Sequence, residues 1–348
     1  MAVIIRSKMS EVIVIEEASI DEYKTVGLTP REMIDMFRQM LEIRRFEERV
    51  ERLFLVEGEL IGPCHLYLGQ EAIAVGVIKA LRDEDIIVST YRGHGHALAR
   101  GVPMGMLMGE LYGKEIGTCK GLGGSMHSAM YVKKNIFMAT AIVGSGIPIA
   151  VGIALGLKYK NSDNIVACFF GDGATTTGAF HEGINMAAIL KLPVLFICEN
   201  NQYAYSLPFS KSFAGENVAK FALGYGLKSY FVYGNDVISV YKASKEAVKE
   251  VRKHKIPVFM ECRTYRQKGH GVYDRALYRP KDEVEKWLKN DPIVKFSRKL
   301  IELGILTEEE LKNIEEDVKE KIEKAVEEAR KAKVIEFEEL YKYVYSSR

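Results

Sequence analysis

Two short apolar runs, each ending abruptly on a polar cluster, constrain this chain more than any other feature. Ile165–Phe170 is apolar throughout and stops at Gly171-Asp172-Gly173. Val194–Cys198 is the second run, and it stops at Glu199-Asn200-Asn201. Phe180–Leu190, between them, has helical spacing. A strand without polar alternation is buried on both faces, and two such strands joined through a helix form a parallel sheet with helices on either side. A helix over Val237–Lys253 and a strand over Val258–Arg263 continue the pattern. In such sheets ligands sit beyond the carboxyl ends of the strands, where both polar clusters fall.

The remaining chain is arranged around that α/β centre. Residues 1–28 read as an irregular arm with a short strand at Val12–Ile15. Thr29, Pro30 and Glu32 make a capping box with proline in the first turn, opening a helix that reaches about Val56 and stops at Glu57-Gly58. The stretch from Gly58 to Gly146 is glycine-dense and holds His65, His94, His96 and His127. Helices are expected there at Gln70–Leu81 and Pro103–Tyr112, with a strand at Ile86–Ser89. Ile147–Tyr159 reads as a helix of small residues. A polar loop, Gln267–Pro280, leads into charged helices from about Lys281. Ile305, Leu311, Ile314, Val318, Ile322 and Val326 form one apolar stripe there. The expected organisation is an N-terminal arm and helix (1–57), an α/β domain (58–280) and a C-terminal helical extension (281–348).

Composition excludes several classes. Lys+Arg is 49 and Asp+Glu is 47, a near balance that argues against a nucleic-acid-coating protein. The five cysteines are far apart with no C-x-x-C, as in reduced thiols of a cytoplasmic protein. The first residues have no apolar run of signal-peptide length. The longest apolar stretch, Gly144–Leu157, is too short to span a bilayer. No membrane association is expected. The Lys/Glu-rich composition, with four glutamines, points to a heat-adapted host.

If the two runs are neighbouring strands, Asp172 and Asn201 face each other at the sheet edge. A hard cation such as Mg²⁺ takes oxygen ligands and commonly shares its site with phosphate, and one carboxylate plus one amide oxygen are suitable donors. The glycines beside Asp172 let backbone N–H groups reach phosphate oxygens. Taken singly, Gly-Asp-Gly and Asn-Asn are also ordinary turn signals. As a pair, 26 residues apart, they resemble the thiamine diphosphate motif of thiamine enzymes. The whole stretch Gly171–Ser206 is similar to the alpha subunit of the first, decarboxylating component of 2-oxo acid dehydrogenase complexes, of the pyruvate and acetoin types. Cys64–Ala72, Tyr91–Gly95, Gly123–His127 and Tyr265–Gly271 agree in order and spacing, so the resemblance covers roughly residues 30–330.

That resemblance implies a thiamine diphosphate-binding fold. It implies side-chain ligation of Mg²⁺ by Asp172 and Asn201, and ligation by the Tyr203 carbonyl. Tyr91, Arg92 and Arg266 would contact the diphosphate, with the backbone of Gly171, Gly173 and Ala174 close to it. Ala141-Ile142-Val143-Gly144 stands where the family has Gly-Ile-Val-Gly against the aminopyrimidine ring. Ala141 replaces the glycine, Val143 offers its carbonyl, and Ile142 is expected to pack internally. His270 matches the loop histidine that assists acyl transfer to the lipoyl arm, and Arg266, Asp274, Tyr278 and Arg279 match the rest of that loop. His65 and His94 match histidines lining the cofactor cavity and are expected, with His270, to act in catalysis. His127 reads as structural, and His96, His181 and His254 as unremarkable. Leu122 replaces a usually basic residue. Gly271 and Leu277 occupy positions where mammalian members carry regulatory serines. The loop's few apolar residues, Val272 and Leu277, give the expectation of few burial contacts, with Arg266 and Arg279 free to respond to the diphosphate.

Thiamine chemistry also needs a carboxylate against the pyrimidine ring and a second α/β domain. This chain contains one diphosphate sheet and no partner for it. The resemblance therefore implies a beta subunit that supplies the activating glutamate in an α2β2 heterotetramer, with a lipoyl acyltransferase downstream. The expected activity is oxidative decarboxylation of a 2-oxo acid, pyruvate favoured. Acetoin and branched-chain 2-oxo acid dehydrogenases are the alternatives in the same chemistry, and a non-catalytic Mg²⁺–nucleotide module is the alternative in another class.

Overall fold

The computed structural model describes residues 11–344. Residues 1–10 of the N-terminal arm and 345–348 of the C-terminal extension lie outside the described residues, and the expectation that the first residues hold no signal peptide falls largely there.

A seven-stranded sheet runs in the order Ile13–Ile15, Lys228–Tyr233, Val258–Arg263, Val194–Asn200, Val166–Gly171, Ile86–Thr90, Ile136–Thr140. Every pairing in it is parallel. The two diagnostic runs are neighbours, with Val166 beside Val194 and Gly171 beside Glu199. Both faces of these central strands are buried. Ala167 and Phe169 enter one core, and Val166, Cys168 and Phe170 the other.

The first core is thick. Helix Val237–His254 packs on the sheet, and helix Glu71–Ala80 packs on Val237–His254. Pro30–Leu55 and Glu308–Lys331 form an outer layer that buries Phe37, Phe46, Val318 and Val326 in the same cluster. Segments from all three expected regions thus share one core. The second face carries Gly146–Tyr159 and Gly178–Leu190, packed side by side. Their outer surface leaves Leu155, Tyr159, Met186 and Ile189 exposed, Tyr159 at 89% and Ile189 at 67%.

The capping box at Thr29 is formed, and its helix spans Pro30–Leu55. The stripe of the last third lies on Glu308–Lys331, itself opened by a capping box at Thr307. Ile305 precedes that helix, its N–H bonded to the Leu300 carbonyl. Two strands of this sheet leave little trace in the sequence. Ile136–Thr140 lies at one edge, with only Ile136 and Ala139 buried. Lys228–Tyr233 begins on a lysine after a run of short turns, and its aromatic residues alone gave no clear period. The arm contributes the other edge strand, Ile13–Ile15.

Candidate active site

Beyond the adjacent ends of Val166–Gly171 and Val194–Asn200 the chain turns twice, and these turns build the site. Asp172 opens a 3₁₀ turn to Thr176, pinned by the Thr175 hydroxyl donating to the Asp172 carbonyl at 2.7 Å. Thr177 then caps the Gly178–Leu190 helix. On the other strand, Asn201 Nδ2 donates to Gln70 Oε1 at 2.9 Å, and its Oδ1 accepts from the Tyr203 N–H at 3.3 Å. Gln202 and Tyr205 take left-handed backbone conformations around a small hairpin, Tyr203–Ala204 with Leu207–Pro208.

These turns border a cavity of about 340 Å³. Asp172 lies at its base, 1% exposed, and its Oδ2 has no hydrogen-bond partner. Burial pushes its carboxyl up to about 7, against the pull of backbone N–H groups and Arg266. A buried, unpartnered carboxylate oxygen is costly, and an incoming cation removes that cost. No cluster of three or more His, Cys, Asp or Glu side chains fit for a metal occurs among the described residues. The oxygens at the cavity are of another kind, the Asp172 carboxylate and the Asn201 amide, and such oxygens suit a hard cation whose shell phosphate completes.

Opposite Asp172 stands a cationic wall. Arg92 is buried and donates to the carbonyls of Leu66 at 2.6 Å and His270 at 2.8 Å. Arg266 is 1% exposed and donates to the carbonyls of Tyr203 and Tyr205 and to the Tyr278 hydroxyl. Neither makes a salt bridge to a carboxylate among the described residues. Burial and the Arg92 charge lower Arg266 to about 10. Burial, then Arg92 and Arg266, lower His270 to about 4. Burial, then Arg92 and His270, lower His65 to about 3. Uncompensated positive charge that presses on every neighbouring base is what a polyanion such as a diphosphate would neutralise. The residues present therefore fit a metal–diphosphate group.

Tyr91, Arg92, Val143, Gly171, Asp172, Gly173, Ala174, Asn201, Tyr203, Arg266 and His270 all line the cavity. Ala141 does not, although its neighbours Thr140 and Ile142 do. It has no left-handed backbone, so its methyl group costs nothing. Gly144 is the residue that must be glycine: its φ is +85°, and a Cβ would lie 2.5 Å from Thr177 Oγ1. Ile142 is 70% exposed at the cavity, not packed internally as expected, because the turn to Gly144 lifts it away from the core.

His94 is a correction. It is fully buried away from the cavity, with Nδ1 against Glu47 Oε2 at 2.9 Å and Nε2 against Ser125 Oγ at 3.0 Å. Both ring nitrogens are committed. His65 stands one row behind the lining, its ring edge-on to Tyr91 and His270, with centroids 4.7 and 4.8 Å away. His96, read as unremarkable, bridges Ser89 Oγ at 2.8 Å and Glu199 Oε1 at 3.2 Å.

The Gln267–Pro280 loop is more firmly tied than its composition implied. Val272 is buried, and its N–H donates to the Cys64 carbonyl. Asp274 Oδ2 accepts from the His270 N–H and the Tyr278 hydroxyl, each at 2.7 Å. Arg279 does not face the cavity. Its guanidinium donates to the carbonyls of Arg266, Gln267 and Lys268 and lies over the Tyr265 ring.

Gln70, Glu199 and Tyr205 line the cavity without having been singled out. Glu199 is held by the Tyr67 hydroxyl and His96. Its signal was present, a carboxylate closing an apolar strand, and so was that of Gln70, inside the block that begins at Cys64.

The profile of the dehydrogenase E1 component family matches residues 38–338. The alpha subunit of acetoin:2,6-dichlorophenolindophenol oxidoreductase from Bacillus subtilis is 45% identical over 302 residues, 86% of this chain and 90% of that protein. The pyruvate dehydrogenase E1 component alpha subunit of Rhizobium meliloti is 42% identical over 286 residues, 82% of this chain and 81% of its own. That of Rickettsia bellii is 37% identical over 329 residues, 94% of this chain and 99% of its own.

Proposed function

This chain belongs to the dehydrogenase E1 component family, and from that premise we propose that it is the alpha subunit of a thiamine diphosphate-dependent 2-oxo acid dehydrogenase, with pyruvate as substrate. The observation that carries the site reading is the unpartnered, buried Asp172 oxygen facing the uncompensated Arg92–Arg266 wall. Asp172, Asn201 and the Tyr203 carbonyl hold Mg²⁺. Tyr91, Arg92 and Arg266 bind the diphosphate with the N–H groups of Gly173 and Ala174, and the Val143 carbonyl faces the pyrimidine ring. Bound thiamine diphosphate supplies the nucleophilic carbon and the electron sink for decarboxylation.

The protein's own groups then position and move protons. Arg92 ties the cofactor wall to the loop through the His270 carbonyl. His270 enters neutral, its imidazole at the cavity with Nδ1 unpartnered, and handles the proton when the acyl group passes to a lipoyl arm. Of the two acidic side chains lining the cavity, Asp172 is given to the metal and Glu199 is held by the Tyr67 hydroxyl and His96, so the carboxylate that activates the pyrimidine comes from a beta subunit. The exposed apolar surface of Gly146–Tyr159, which follows Ile142 and Val143 at the cavity, and of the neighbouring Gly178–Leu190 is the face offered to it. The assembly is an α2β2 heterotetramer serving a lipoyl acyltransferase in the cytoplasm. No helix among the described residues is long and apolar enough to cross a membrane.

The test is calorimetric titration of Mg²⁺ and thiamine diphosphate into the chain co-expressed with its beta subunit, then turnover of pyruvate, acetoin and branched 2-oxo acids. Cofactor-dependent turnover of pyruvate above the others supports the reading. Nucleotide binding by the single chain, with no thiamine diphosphate binding by the pair, replaces it with the nucleotide module.

A further inference from the structure

A buried ion triad lies directly behind the cavity, joining the first long helix to the C-terminal helices and to the His270 loop. Arg44, on Pro30–Leu55, grips Glu71 through both edges of its fork, Nε to Oε1 at 2.7 Å and NH2 to Oε2 at 3.1 Å. Its remaining arm donates to Asp291 Oδ2 at 2.7 Å. Asp291 is the N-cap of Pro292–Glu302, accepting from the N–H groups of Ile293 and Val294. Its Oδ2 also accepts from Gln267 Nε2 at 2.7 Å. Glu71 accepts the Gly69 N–H at 3.1 Å on both oxygens.

The two anions of this triad sit next to two cavity residues. Glu71 follows Gln70, whose side chain holds Asn201. Asp291 holds Gln267, which follows Arg266. The two backbone segments also touch. The Gln267 N–H donates to the Leu68 carbonyl, and the Thr264 hydroxyl to the Gly69 carbonyl. Gly69, at φ +97°, approaches so closely that a Cβ would lie 2.3 Å from the Tyr265 carbonyl oxygen. One cation therefore links the two anions that stand next to Gln70 and behind Arg266.

We propose that Arg44 is a positioning residue for cofactor binding: through Glu71 and Asp291 it sets the separation of Gln70 and Arg266, and so the fit of the metal–diphosphate cradle. This rests on the cradle assignment made under Proposed function. A planar fork can hold two carboxylates in fixed directions, whereas an ammonium is a point charge that fixes neither. Replacing a buried ionic set by neutral groups of similar shape often leaves stability intact. Stability and positioning can therefore be separated.

The experiment uses the assembled alpha–beta pair. The triple variant Arg44→Met, Glu71→Gln, Asp291→Asn keeps volume, the Gly69 contact and the helix cap while removing the fork. The expected result is a melting temperature near that of the parent and a Kd for Mg²⁺–thiamine diphosphate raised about 10-fold or more, the size typical of losing support behind a ligand. Hydrogen exchange over residues 264–280 should be faster in the cofactor-bound variant than in the bound parent. Arg44→Lys, which keeps the charge without the fork, should show the same loss of affinity, and it decides the matter if the triple variant does not fold. Parental affinity in either folded variant overturns the proposal. If the parent pair itself binds no thiamine diphosphate, the failure lies in the reading under Proposed function.

Discussion

Two buried polar clusters lie close together behind and within the site, and they are built on opposite terms. In the first, Glu47 accepts the Tyr67 N–H at 2.8 Å and pairs with His94, and His94 reaches Ser125. Arg44, Glu71 and Asp291 are similarly paired. Every polar atom of those side chains that is deeply buried has a partner among the described residues. In the second cluster, Asp172 Oδ2, Gln70 Nε2, His65 Nδ1 and His270 Nδ1 are buried without one. A satisfied network holds a fold together, while an unsatisfied one is costly until something arrives to complete it. The contrast separates framework from binding surface, although both use the same residue types, with His94 in the first and His65 and His270 in the second.

The sharpest way to break this comparison is Asp172→Ala, which should abolish Mg²⁺-dependent thiamine diphosphate binding by the alpha–beta pair. Calorimetry that finds parental affinity would place the metal elsewhere. Glu47→Leu attacks the other cluster. It strands the His94 ring and the Tyr67 N–H in the core, and should cost about 3 kcal/mol in urea unfolding, the lower end for breaking a buried polar pair. An unchanged midpoint would contradict its role as framework.

His270→Ala should lower the lipoyl-linked overall rate about 10²-fold, the usual loss for a general acid–base. Decarboxylation with an artificial electron acceptor should fall less. Equal losses in the two assays would move His270 to cofactor binding. A smaller effect has the opposite sign. Asp172→Asn should stabilise the cofactor-free chain by about 1 kcal/mol, because a neutral amide relieves an unpartnered buried charge. Thermal unfolding without metal is the measurement, and destabilisation would mean that Asp172 is satisfied within the fold.

The last prediction concerns pH. His65 and His270 sit at about 3 and about 4 in the fold, against 6.5 for a free histidine. Between those values the unfolded chain binds protons that the folded rings refuse, so the stability these two histidines contribute is fully present above about 6.5 and is lost as pH falls toward 3. Inorganic diphosphate should shrink that loss by neutralising Arg92 and Arg266. The measurement is made in the Asp172→Asn background, because the raised Asp172 carboxyl titrates over the same range with the opposite sign; a flat profile there would show that the two rings are not held under the positive wall.

The sequence by itself determined the parallel sheet, the capped helix at Pro30 and the placing of Asp172 and Asn201 at two strand ends. These follow from apolar runs, turn residues and caps, which act over a few residues and leave a local trace. That the two motif strands are neighbours came from the structure. The family resemblance supplied Tyr91, Arg92, Val143, Arg266 and His270 as cavity residues. Tertiary structure decided which of several similar side chains faces the cavity. His94 and His65 stand in like surroundings in the text, yet His94 opens the helix His94–Ala99 and is buried between Glu47 and Ser125, while His65 lies against Tyr91 and His270. Arg266 and Arg279 are 13 residues apart in one loop, yet one lines the cavity and the other is spent on its own backbone. The direction of a long polar side chain is fixed by partners distant in sequence, here Glu47 for His94 and the carbonyls of Tyr203 and Tyr205 for Arg266. No local pattern encodes such a choice, because the energy that makes it exists only once those distant segments have packed.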